Sequence, residues 1–233
     1  MSTHENLSFS VENFSGKVRL FPLPNLVLFP HVMQPLHIFE PRYRDLLEDA
    51  LKDDRLIAMA VLEPGWEADY EGRPPLYPIA CLGRVASYHC LEDGTYNVLL
   101  LGVRRIRLIR ELDAIGSFRE AKAELCEDYC PPHLAAELGV LHRKLRTAFQ
   151  KILPTMPGAE EQLGQLLGGD LSLGVLTDVI GYMLDIDIRQ KEVLLAQTDV
   201  CLRSELLLKH LSAVSGSLQA AAASGFPPQF SAN

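Results

Sequence analysis

Between Glu40 and Asp54, "EPRYRDLLEDALKDD" places Tyr43, Leu46, Leu47, Ala50 and Leu51 at i, i+3, i+4, i+7 and i+8, the spacing that collects apolar side chains on one stripe of a helix. Pro41 suits the first helical position, and Arg44, Glu48 and Lys52 recur every four residues on the opposite face. This predicts an amphipathic helix laid on something apolar, with the preceding stretch as its neighbour. "KVRLFPL" alternates as a short first strand, and "RLIAMAVLE" reads as a second. Further on, "PIACLGRVASYHCLEDGTYNVLLLGVRRIRLIREL" and "FREAKAEL" form a meander around the Asp93-Gly94 turn signal. Gly83 and Gly102 are bulge or bend positions in it, favouring a curled sheet or small barrel. From Pro131 the period becomes helical. "PPHLAAELGVLHRKLRTAFQKIL" keeps Leu134, Leu138, Leu141, Leu145 and Phe149 near one face until Pro154. "AEEQLGQLL" is a short helix, and "SLGVLTDVIGYML", with Ser172 as N-cap, is apolar nearly all round. "IRQKEVLLAQ" and "TDVCLRSELLLKHL" complete a bundle.

One stretch resists both periods. "FPLPNLVLFPHVMQPLHIFEPRY" is as apolar as a core strand, yet Pro22, Pro24, Pro30, Pro35 and Pro41 interrupt it. Proline removes a ladder donor and is confined to edges, bulges and strand starts, so the stretch is predicted to be short extended pieces joined by bends.

Composition narrows the class. The chain has 233 residues, 48% of them hydrophobic, and a formal net charge of −8. That balance opposes a partner built on a polyphosphate backbone. The five cysteines are irregularly spaced and no secretory leader precedes them, which predicts reduced thiols in a cytoplasmic compartment. No apolar run approaches the ~20 residues of a membrane span.

The opening stretch "LFPLPNLVLFPHVMQPLHIFEPRYRDLLEDAL" resembles the start of the N-terminal, substrate-recognition (LON) domain of Lon proteases. "CLGRVASYHCLEDGTYNVLLLGVRRIRLIREL" is similar to that family's glycine-turn hairpin and arginine-bearing strand, and "VLLAQTDVCLRSELLLKHL" to its closing helix. The resemblance runs from Lys17 to Leu211. It implies an α+β fold, a PUA-like six-stranded β pseudobarrel with one helix, followed by a C-terminal α-helical bundle. The expected divisions are a flexible terminus over 1–16, the pseudobarrel over 17–127, the bundle over 128–213 and a disordered tail over 214–233. Nothing matches G-x-x-x-x-G-K-[ST], so a free-standing domain without ATPase or protease modules is expected. Gly181 stands where the family pattern generally has alanine. In such a fold the prolines set a bent track on the barrel edge, anchored by Leu23, Leu26, Val27, Leu28, Phe29, Leu36 and Phe39.

The candidate chemistry is sparse. Cys126, Cys130 and His133 lie close in sequence without a second ligand pair, so no metal is expected, and no cofactor either. Cys90 and His89 are adjacent on a strand and point to opposite faces, which excludes a thiolate–imidazole pair there. No catalytic residue is assigned. The resemblance implies a non-enzymatic module that recognises unfolded or partly unfolded polypeptides, adaptor or chaperone-like, with a protease or chaperone as a further partner. The loop "PGWEADYEGRPP" carries the only tryptophan. Trp66 and Tyr70, with the acids Glu67 and Asp69 and with Phe29 and His31 of the bent track, form the candidate binding surface. The alternative is a small-molecule- or RNA-binding PUA-like domain using a basic patch at Arg105 and Arg107. The acidic chain and the lack of interleaved aromatics weigh against nucleic acid.

Overall fold

A computed structural model describes residues 11–113, 116–153 and 171–223. The described chain divides into two compact units: residues up to Asp128 with Gly181–Thr198, and Tyr129–Ile180 with the segment from Asp199.

The first unit is built on one mixed sheet of six strands: β1 (Lys17–Leu23), β2 (Met33–Ile38), β3 (Leu56–Val61), β4 (Ile79–Cys90), β5 (Tyr96–Glu111) and β6 (Arg119–Cys126). The order is β2-β5-β4-β3-β1-β6, and β5 pairs again with β6, so five strands close into a ring and β2 lies outside it. The length of β5 makes this possible, since its first part, Tyr96–Leu101, pairs with β2 and its last, Arg105–Glu111, with β6. Alternate residues of the ring strands, including Val18, Leu20, Ala58, Ala60, Ala80, Leu82, Ile106, Ala121 and Ala123, form one buried cluster. Alanine at so many positions suits a small ring, whose interior has room for few large side chains.

The helix α1 (Pro41–Leu51) buries Tyr43, Leu46, Leu47 and Ala50, four of the five residues of the predicted stripe, and Leu51 is half-buried. It packs on β1 and β3. Tyr43 stacks on Phe21, ring centroids 4.1 Å apart, and donates its hydroxyl to the carbonyl of Pro22 at 2.8 Å. The opposite face forms no ladder of its own. Arg44 donates to the Gly94 carbonyl, and Glu48 accepts from the Tyr96 hydroxyl, so the face is held by the β4–β5 hairpin end.

The proline track is extended pieces joined by bends, as the residues dictate. Pro35 falls in β2, which pairs on one side only. Val27, Leu28, Phe29, Val32 and Ile38 are its buried anchors; Phe39, expected among them, is 62% exposed, and Leu36 is half-buried. After Ile38 the strand ends and the chain turns into α1, which leaves Phe39 outside. Gly102 lets the track cross β5: its carbonyl accepts from His31 N at 2.8 Å and its N–H donates to Val32 at 2.9 Å. A Cβ at Gly102 would stand 2.0 Å from the Phe29 carbonyl oxygen.

A bundle unbroken over 128–213 was expected, but Gly181–Thr198 groups with the strands. That segment holds α4 (Ile188–Ala196), begun by Asp187, which accepts from Gln190 N, and packed against β4. Gly181 itself meets Phe29; a Cβ there would lie 3.2 Å from Phe29 Cε1, so the missing methyl makes room for the ring.

In the second unit, a 3₁₀ turn (Pro132–Glu137) leads into α2 (Leu138–Ile152), which buries Leu141, Leu145, Phe149 and Ile152. The helix α3 (Leu173–Met183) starts at Ser172, whose hydroxyl accepts from Val175 N. The helix α5 (Val200–Ala223) packs on α2 and extends into the 214–233 segment expected to be disordered. Arg203, fully buried, pairs with Asp178 and donates to the Thr177 hydroxyl. The predicted short helix "AEEQLGQLL" and the stop at Pro154 lie outside the described residues.

Candidate functional site

A cleft of about 580 Å³ opens in the first unit between the Glu40–Tyr43 segment and the Tyr70–Pro74 loop. Its position follows from the chain path. Pro41 starts α1 directly after the track, and the loop between β3 and β4 folds back over that start. One 3₁₀ turn, Trp66–Asp69, brings Trp66 and Tyr70 edge to face at 5.5 Å. Tyr70 then donates its hydroxyl to Glu40 Oε1 at 2.9 Å, while Arg42 Nε donates to Glu40 Oε2 at 3.0 Å. Arg42 Nη2 lies 2.8 Å from the same carboxylate as an ion pair, but at an angle that makes no hydrogen bond. The Arg42 guanidinium is sandwiched by aromatic faces, 4.8 Å from the Tyr43 centroid and 4.7 Å from that of Tyr70. Burial pushes the phenols of Tyr43 and Tyr70 up, so both stay protonated donors.

The far wall is fixed by arginines that are already engaged. Arg119 pairs with Glu111 and donates to the Pro74 carbonyl at 2.9 Å, and Arg73 donates to the Leu112 carbonyl at 3.2 Å. Beside this cleft, in a second one of about 490 Å³, Arg19 is held by Asp49, Asp53 and Asp54 at 2.5, 2.9 and 2.7 Å. The arrangement offers aromatic and proline surface with balanced, mostly satisfied charges. Ser117, also on this lining, donates its hydroxyl to Asp45 Oδ2 at 2.6 Å.

Of the residues expected at a binding surface, Tyr70 lines the cleft, Trp66 touches Tyr70, and Glu67 and Asp69 are exposed on the same turn. Asp69 also shapes the loop by accepting from Arg73 N. Phe29 and His31 are not among the cleft's lining residues. Phe29 is wholly buried and is a core anchor, so its inclusion in the surface is corrected; His31 is exposed at a left-handed bend, φ 66°. The basic patch separates. Arg105 is 3% exposed and spends its guanidinium on the Leu195 carbonyl at 2.8 Å and Asp128 at 3.3 Å, while Arg107 is exposed opposite Glu124. The Leu195 carbonyl belongs to the last turn of α4, whose unsatisfied acceptors attract a cation. Sequence reasoning missed Glu40 and Arg42. Their only signal is the E-P-R run around the first helical position, which says nothing about a tyrosine 30 residues away.

Residues 17–213 match the family model of the ATP-dependent protease La (LON) substrate-binding domain. The chain is 30% identical over 181 residues to Lon protease 1 of Bdellovibrio bacteriovorus, covering 78% of this chain and 22% of that protein. It is 26% identical over 203 residues to Lon protease 2 of Myxococcus xanthus, covering 86% of this chain and 24% of that one. The chain thus spans less than a quarter of the length of these curated relatives. Among solved structures, the N-terminal domain of a Mycobacterium avium complex Lon protease superposes with a TM-score of 0.64 at 16% identity, covering 84% of this chain and 98% of that one. A Lon N-terminal domain protein from Xanthomonas campestris gives 0.58 at 23% identity, covering 83% and 97%. These likenesses carry the α+β fold, and the match over residues 17–213 carries the family: the chain belongs to the LON substrate-binding domain family.

Proposed function

We propose that this protein is a non-enzymatic module that captures unfolded or partly unfolded polypeptide, and that the cleft between Glu40–Tyr43 and the Trp66–Pro74 loop is where it does so. The observation that carries the reading is the Trp66–Tyr70 pair, in which Tyr70 lines the cleft and Trp66 packs against it, both half-buried, on a turn whose remaining members are acidic or small. Large aromatics give contact area at low rotamer cost and are the usual anchors of interfaces. The exposed acids Glu67, Asp69 and Glu71 bias the site towards segments that mix apolar and basic residues. Relatives named Lon protease support an adaptor or chaperone-like role that delivers such segments to a protease. The RNA- and small-molecule-binding alternative loses its main support, because Arg105 is committed inside the fold.

The experiment is a labelled unfolded protein titrated against wild type, Trp66→Ala, and Trp66→Ala with Tyr70→Ala, each checked by circular dichroism to be fully folded at the assay temperature. The reading expects affinity to fall by about tenfold or more, the scale of losing one aromatic anchor. Equal affinity in all three removes the cleft from the mechanism.

A further inference from the structure

The second unit contains a thiol pair that the proposed function does not use. Cys130 Sγ and Cys201 Sγ lie 3.5 Å apart although 71 positions separate them in the chain, and both are free. Main-chain contacts fix this approach on both sides. Tyr129 and Asp199 form a parallel bridge, and Val200 N donates to the Tyr129 carbonyl at 3.0 Å. Asp199 caps the first turn of α5, its Oδ1 accepting from Cys201 N at 2.8 Å and Leu202 N at 3.2 Å. The sulfurs are therefore held in proximity by backbone structure, and bond formation would close their 3.5 Å separation to about 2.05 Å. The two thiols differ in access: Cys201 is 1% exposed, whereas Cys130 is half-buried. Burial, with the neighbouring Cys130, pushes the Cys201 thiol up to about 12, so it rests protonated.

We propose that Cys130 and Cys201 form a reversible oxidation site that responds to hydroperoxides, with Cys130 the sulfur attacked first and Cys201 the one that resolves it. The Cys130 thiolate attacks the peroxide, the O–O bond breaks, an alcohol or water leaves, and Cys130 becomes a sulfenic acid. The Cys201 sulfur then attacks Cys130, the S–S bond forms, and water departs with the Cys201 proton. Two thiols are oxidised by two electrons and one peroxide is reduced. The disulfide ties the strand-like segment at Tyr129–Pro131 to the first turn of α5.

The test exposes the native full chain to hydrogen peroxide at low molar excess, then denatures it and counts free thiols alongside peptide mapping. The expected result is a fall from five free thiols to three, one Cys130–Cys201 cross-linked peptide, and full recovery with dithiothreitol. In Cys201→Ala, Cys130 should instead be trapped by a sulfenic-acid-specific reagent. The oxidised wild type should also show a higher denaturant midpoint than the reduced protein. Five thiols surviving treatment, pairing of Cys130 with another cysteine, or irreversible oxidation of Cys130 in wild type would overturn the proposal.

Discussion

The hydroxyl of Tyr70 donates to Glu40 Oε1 at 2.9 Å, joining the loop between β3 and β4 to the residue that precedes α1. Arg42 donates to the other oxygen of the same carboxylate and stacks on the Tyr70 ring. Three residues from two distant parts of the chain thereby set the shape of one cleft wall. Tyr70→Phe keeps the stacking and removes only the hydrogen bond, so it should cost about 0.5–1.5 kcal/mol in a denaturant titration. Arg42→Ala removes the stacking and the ion pair together and should cost more. Equal effects from the two variants would mean that the guanidinium adds nothing beyond the hydroxyl.

Leu47 is fully buried beneath α1, whereas Glu48 is exposed and accepts one hydrogen bond from Tyr96. Leu47→Ala should destabilise by about 2–5 kcal/mol, the range for truncating a buried leucine. Glu48→Ala should cost less than about 1 kcal/mol, since an exposed bond competes with water. Urea midpoints of the two variants check the placement of this helix.

Two glycines should respond very differently. At Gly102 an added Cβ meets the Phe29 carbonyl oxygen at 2.0 Å, and backbone cannot step aside cheaply. Gly102→Ala should therefore lose on the order of 3 kcal/mol or more. At Gly181 the added Cβ meets the edge of the Phe29 ring at 3.2 Å, while alanine gains about 1 kcal/mol of helix propensity. Gly181→Ala should stay within about 1 kcal/mol of wild type, a result that thermal denaturation would read directly.

Much of this architecture is legible in the residues. The α1 stripe at Tyr43, Leu46, Leu47 and Ala50 repeats in register, and the Asp93-Gly94 pair marks the β4–β5 turn, because both are local signals. The prolines exclude a central strand for the track, and β2 is indeed paired on one side only. What remained hidden was long-range. Nothing near Arg105 reveals that its guanidinium meets the Leu195 carbonyl 90 positions away, so an exposed basic patch and a buried cap look alike in sequence. Phe39 is as apolar as Ile38, but the strand ends at Ile38 and the turn into α1 leaves Phe39 outside. The cleft itself depends on Glu40 meeting Tyr70, a pairing that no periodicity encodes.

Glu192 supplies a prediction in pH. Its side chain is buried on α4 with Oε1 lacking a hydrogen bond, and burial raises the carboxyl from 4.5 to about 8. Between those values the folded chain holds a proton that the unfolded chain has released, so stability contributed by the neutral carboxyl is full below pH 4.5 and lost as pH rises to about 8. Glu192→Gln is neutral throughout. Wild type should therefore lose a few kcal/mol relative to this variant across that window. Parallel stability profiles for the two proteins would place the carboxyl in contact with solvent.

The most direct test of polypeptide capture at the cleft uses Trp66, the single tryptophan of the chain, as its own reporter. A permanently unfolded, tryptophan-free polypeptide is titrated into the protein while binding is followed in parallel through a label on that polypeptide. The account predicts a saturable blue shift of Trp66 emission whose midpoint coincides with the binding curve and moves to higher concentration with added salt, because the exposed acids of the turn are screened. Full binding with Trp66 emission unchanged would contradict it.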